Sequence, residues 1–225
     1  MSDAAKREQY EQAIAAMRER LMECRQGLED LLSGLGGRRV AAMRAVFVGG
    51  RSVLFVMTTQ LVRVDKDAFN TWNAPFVLVA NDDPLLKFTR ELRNAIEKRG
   101  EFLLDGTGIC VGPDVEFADL LPPNPPPGVL HFVVADNYGR CGWEVMRPDG
   151  TTELVYTDRP IHPSHHFYSR FADPPTHHLG ETIEDPSVEG IAVLYYRYLA
   201  DLVDQAEANF LGNRTDSTRS TNPAV

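Results

Sequence analysis

The chain has 225 residues, 43% of them apolar and 24% charged, and a formal net charge of −9. That balance excludes a disordered chain, a collagen-like repeat and a disulfide miniprotein, and the length suits one domain or slightly more around a real core. No run approaches the ~18 consecutive apolar residues of a membrane span, and the opening Met-Ser-Asp-Ala-Ala-Lys-Arg-Glu lacks a signal-peptide core, so a soluble, cytoplasmic chain with no membrane partner is expected.

Residues 1–36 read as one helix. Ile14, Met17, Leu21, Cys24, Leu28, Leu31 and Leu35 alternate three and four apart, the spacing that keeps one apolar stripe toward a partner helix. Gly34, Gly36 and Gly37 then stop it, and Gly27 weakens its interior. A helix this marginal needs a partner, so the stripe faces another protein subunit, a second copy or the chain's own sheet. The candidate interaction residues are Ile14, Met17, Leu21, Leu28 and Leu31.

Arg39 to Val48 and Ser52 to Val64, rich in Val and Phe around Gly49-Gly50-Arg51, read as a β-hairpin. Phe76 to Ala80 reads as a buried strand. Asp83 and Pro84 then suit the cap and first turn of a helix, with Leu85, Thr89, Leu92 and Ile96 on its apolar face and Gly100 at its end. Phe102–Leu104 and Ile109–Val111 suggest a short hairpin, and Val129 to Ala135 a strand. Trp143–Met146 and Glu153–Thr157 suggest a hairpin around Pro148-Asp149-Gly150. From Ser187 a last amphipathic helix places Ile191, Leu194, Tyr195, Tyr198, Leu199 and Leu202 on one broad face. The expected fold is α+β: a helical arm at 1–36, a mixed-sheet domain at 37–211 and a flexible tail at 212–225. An open, flavodoxin-like α/β sheet is the alternative.

Charge is unevenly divided: residues 1–40 balance, 41–100 carry +3 and 101–225 carry −12. The acidic half repels phosphate, so no nucleic-acid partner is expected. Lys87, Arg90, Arg93, Lys98 and Arg99 nevertheless give the middle section a basic helix face.

Val77-Leu78-Val79-Ala80-Asn81-Asp82-Asp83-Pro84-Leu85-Leu86 resembles the opening of receiver domains in two-component response regulators. The resemblance implies a magnesium-binding acidic pair at Asp82 and Asp83, a phosphorylatable Asp136 and a hydroxyl role for Thr157. The stretch departs from that family in lacking the Pro expected after Asp136 and any Lys beyond Lys98.

Five histidines, His162, His165, His166, His177 and His178, fall within seventeen residues and precede Glu181, Glu184 and Asp185. Imidazole and carboxylate ligate zinc and non-haem iron. The candidate ligands are His162, His166, His178 and Glu181, with zinc or iron as the metal; the other reading is a Pro- and His-rich surface loop. Cys24, Cys110 and Cys141 are an odd number without Cys-x-x-Cys spacing, which points to reduced thiols. Cys141 between Gly139 and Gly142, with His131 or one of the clustered histidines as base, is a further candidate nucleophile. A non-enzymatic assembly or regulatory protein acting through protein–protein interaction, as an oligomer, is the function expected; a metal-dependent hydrolase or oxygenase is the alternative.

Overall fold

The structure, a computed structural model, describes residues 2–33, 38–110, 121–122, 124–133, 141–157 and 166–212. Ser2 opens α1, Asp3–Leu32, its hydroxyl accepting from the Ala5 N–H at 3.3 Å. Tyr10, Ile14, Met17, Leu21, Leu28 and Leu31 are all buried along one face, as the spacing predicts. The cover is this chain itself. α1 lies against the helical segment Arg39–Val64 and against the C-terminal helix, so the expected arm is the central helix of the body.

The hairpin expected over 39–64 is instead a helical rod, α2, Arg39–Val64, widened by two π turns at Arg44–Val48 and Met57–Leu61. Its Val and Phe content favours strands, but its buried positions, Ala42, Met43, Val46, Phe47, Gly50, Val53, Met57 and Leu61, recur three and four apart. Helical periodicity and the two apolar surfaces it packs on outweigh β propensity. Two glycines permit the close approach. A Cβ on Gly27 would lie 2.4 Å from Ala45 Cβ, and one on Gly50 would lie 2.7 Å from Tyr195 Cε1. By length and composition α2 could cross a membrane, with mean hydropathy 1.6. Its inner stripe is packed inside the protein, however, and its outer stripe carries Arg44, Arg51 and Arg63.

Asp65 caps α3, Lys66–Asp82, accepting from the Ala68 N–H at 2.9 Å and from Lys6. The expected strand at Phe76–Ala80 is thus helical. Trp72 and Phe76, one turn apart, pack inward with their rings tilted at 49° and 4.9 Å apart, while Val77, Leu78 and Val79 turn to the surface, so the continuous apolar run covers more than one face. Asp83 then caps α4, Pro84–Arg99, which ends at Gly100 with φ 72°, as expected.

The α+β class holds, and the strands form small antiparallel sheets. β1, Leu104–Cys110, runs unbroken where a hairpin over Phe102–Leu104 and Ile109–Val111 is expected; a bulge between Leu104 and Gly106 absorbs the irregularity. β2, Val129–Val133, β3, Gly142–Met146, and β4, Thr152–Tyr156, make a meander whose β3–β4 turn is the one expected, with Gly150 at φ 83°. β5, His166–Phe171, pairs with β1, and β6, His177–His178, pairs with β7, Glu181–Thr182. Every pairing among the described strands is antiparallel, whereas a flavodoxin-like sheet is parallel.

Ser187 caps α5, Val188–Leu211, which Gly212 ends; residues 213–225 lie outside those described. A buried ion pair anchors its start. Arg39, 1% exposed, meets Glu189 Oε1 at 2.6 Å through Nη1 and donates to Ser169 Oγ at 3.2 Å. At the other end Tyr10 stacks on Phe210 at 4.9 Å.

Candidate functional site

Asp83, the residue between α3 and α4, caps α4 with its carboxylate and engages a distant segment with the same two oxygens. It is 6% exposed, accepts from the Leu86 N–H at 2.9 Å and lies 3.1 Å from His178 Nδ1 through both oxygens. The Leu179 N–H adds a third donor at 2.6 Å. Leu179 and Gly180 hold φ values of 50° and 86°, the tight β6–β7 turn that brings this N–H round. A carboxylate only accepts, so His178 carries its proton on Nδ1 and presents the Nε2 lone pair when neutral. The His178 ring meets Tyr198 edge-on at 5.9 Å, and burial, then Asp83, pushes the Tyr198 phenol up.

The expected metal ligands are only partly brought together. His178 and Glu181 face each other in the β6–β7 register, with Glu181 exposed. His177 turns the other way, as adjacent strand residues must, to contact Thr176 Oγ1 at 2.9 Å. The backbone of His166 lies in β5; His162 and His165 fall outside the described residues, as does Asp136 of the receiver-like reading. Among the described residues no three His, Cys, Asp or Glu side chains gather as a metal site. Asp82, the other member of the acidic pair, is exposed while Asp83 is committed to its cap.

The two described thiols, Cys24 and Cys141, are both buried. Cys24 is buried under α2, its Sγ 3.6 Å from Val46 O, and burial pushes the thiol up to about 12. Cys141 is buried as well, and His131 Nε2 engages Glu144 Oε2 at 2.9 Å across β2 and β3.

Beyond Tyr198 lies a cavity of about 270 Å³ between α2, α3, α4 and α5. Its inner wall is aromatic: Phe47 and Tyr195 stack at 6.2 Å and are almost fully buried. Its polar wall is cationic, with Arg51 from α2 and Arg90 and Arg93 from α4, and among the described residues no carboxylate lines it. Burial pushes the Tyr195 phenol up, while the charges of Arg51 and Arg93 act against that shift. The basic face of α4 is legible in the sequence, whereas the sequence places Arg51 in a hairpin turn; only the helical period of α2 brings it to the same cavity as Arg90.

No protein-family model, no curated protein and no solved structure matches this chain.

Proposed function

We propose that this chain is a non-enzymatic assembly or regulatory protein that acts by protein–protein contact, and that the contact is made by the outer face of α3. The observation that carries the reading is the exposure of Val77, Leu78 and Val79 at 47%, 67% and 36% on consecutive residues of one helix. Phe55 of α2 is 62% exposed as well. Contiguous apolar surface of this kind is the usual mark of an interaction site, and covering it recovers roughly 25 cal/mol per Å². The α1 stripe is already covered by α2 and α5, so a partner meets α3 instead. A second copy of the chain is the occupant that needs no other component, since one helix face can pair with itself across a two-fold axis.

Sedimentation equilibrium tests this reading. The wild-type chain should dimerise by about 0.1 mM, and Val77→Asp/Leu78→Asp should be monomeric with an unchanged melting curve, because both side chains are at the surface. A wild-type chain monomeric at that concentration, or a dimer indifferent to the substitutions, would reject it. The competing metal-dependent hydrolase or oxygenase draws on one observation, the orientation of His178 by Asp83, an arrangement that ligating histidines commonly have. Metal analysis of the purified chain after growth in zinc and iron decides it.

A further inference from the structure

We infer that the cavity between α2, α3, α4 and α5 binds a small organic phosphate monoester with an apolar, ring-sized body. This is independent of the protein contact proposed for α3. At about 270 Å³ the space lies just under the roughly 300–1,000 Å³ of ligand pockets, which suits a small molecule rather than a cofactor.

Charge selects the head group. Arg93 meets Glu97 Oε2 at 2.5 Å and is offset by it, whereas Arg51 and Arg90 make no ion pair with any described residue. The wall therefore presents two uncompensated guanidiniums, and a phosphate monoester above its second pKa of about 6 carries the matching two charges. Guanidinium forks recognise phosphoryl oxygens in pairs, which a single carboxylate would satisfy on one side only. Asn94 adds a donor: its Oδ1 accepts from Arg93 Nη1 at 2.9 Å, which leaves its amide N–H groups for the ligand. Arg51 and Arg90 are exposed, so the charged end enters at the mouth.

Shape selects the body. Phe47, Leu54, Ala80 and Leu86 line the other side, and none of these four side chains can hydrogen-bond a phosphate. A flat apolar group replaces water against the half-buried Leu54, Ala80 and Tyr198 while the phosphoryl group stays at the arginines.

Calorimetric titration of the full chain with phenyl phosphate, inorganic phosphate and benzoate, at about 0.15 M salt, tests the assignment. Phenyl phosphate should bind saturably and about tenfold more tightly than either comparator. Arg51→Ala and Arg90→Ala should each weaken it about tenfold, Arg51→Lys less so, and Lys98→Ala on the far end of α4 should leave it unchanged. Both arginines are exposed, so the variants should keep the wild-type melting curve, which separates lost contacts from lost folding. Binding should weaken as pH falls through about 6, where the monoester takes up a proton. Equal binding of the three probes, absent saturation, wild-type affinity in folded Arg51→Ala and Arg90→Ala, or equal weakening by Lys98→Ala would each overturn it.

Discussion

The carboxylate of Asp83 and the Nδ1 of His178 lie 3.1 Å apart and join segments separated by 95 positions in the chain. The same carboxylate caps α4 through the Leu86 N–H, so one side chain both starts a helix and holds the β6–β7 turn against it.

Asp83→Ala should therefore cost more than an ordinary cap. A cap alone is worth about 1 kcal/mol, and hydrogen bonds to a buried carboxylate add roughly 1.5–3 kcal/mol, so a total loss of roughly 2–4 kcal/mol is expected in urea unfolding. Asp83→Asn keeps a good capping oxygen and should fall between. A loss no larger than about 1 kcal/mol for the Ala variant would mean the His178 contact carries no stability.

Gly49 and Gly50 are neighbours in α2 that should respond oppositely to Ala. A Cβ at Gly49 meets nothing within 4 Å, so Gly49→Ala should gain roughly 0.5–1 kcal/mol from helix propensity. At Gly50 the same Cβ meets Tyr195 Cε1 at 2.7 Å and Leu199 Cδ1 at 2.9 Å. Overpacking of about 1–3 kcal/mol then outweighs the propensity gain, and the displaced Tyr195 narrows the cavity. Denaturation midpoints of the two variants moving in the same direction would contradict this.

The Arg39–Glu189 pair should show strong coupling. Removing Arg39 alone, as Met, leaves Glu189 charged and poorly solvated, with an expected loss of roughly 3–5 kcal/mol. Arg39→Met/Glu189→Leu removes both charges and should recover much of that loss. A double-mutant cycle measures the coupling, and additive single effects would show that the two side chains act separately.

The Lys6–Asp65 pair ties α1 to the start of α3 and gives stability a pH signature. The Lys6 hydrogen bond, then the Ala68 N–H, hold Asp65 below the usual carboxylate range; its contribution is present above about pH 4 and is lost as pH falls through the depressed value. Asp65 in turn raises Lys6, whose contribution is present below about pH 10 and is lost as pH rises through the raised value. The melting deficit of Lys6→Met should thus be constant between about pH 5 and about pH 9 and shrink beyond both ends. A deficit undiminished at about pH 2 would assign it to lost side-chain packing instead.

Features that depend on residues within one turn of each other were determined by the sequence itself. Ser187 and Asp83 cap helices because their oxygens reach an N–H three residues on, Gly100 ends α4 because it tolerates a left-handed φ, and Pro148-Asp149-Gly150 turns the β3–β4 hairpin. The buried face of α1 was equally legible from its spacing. What covers that face was decided only by the tertiary structure, since α2 has to fold back on α1 and α5 comes from the far end of the chain. The state of α2 itself was decided there too: Val and Phe favour a strand locally, and helix wins because Gly27 and Gly50 let α1 and α5 close on both sides. The cavity follows from the same cause. Arg51 and Arg90 are 39 positions apart and line one cavity only because α2 and α4 pack side by side, a relation that no local spacing encodes.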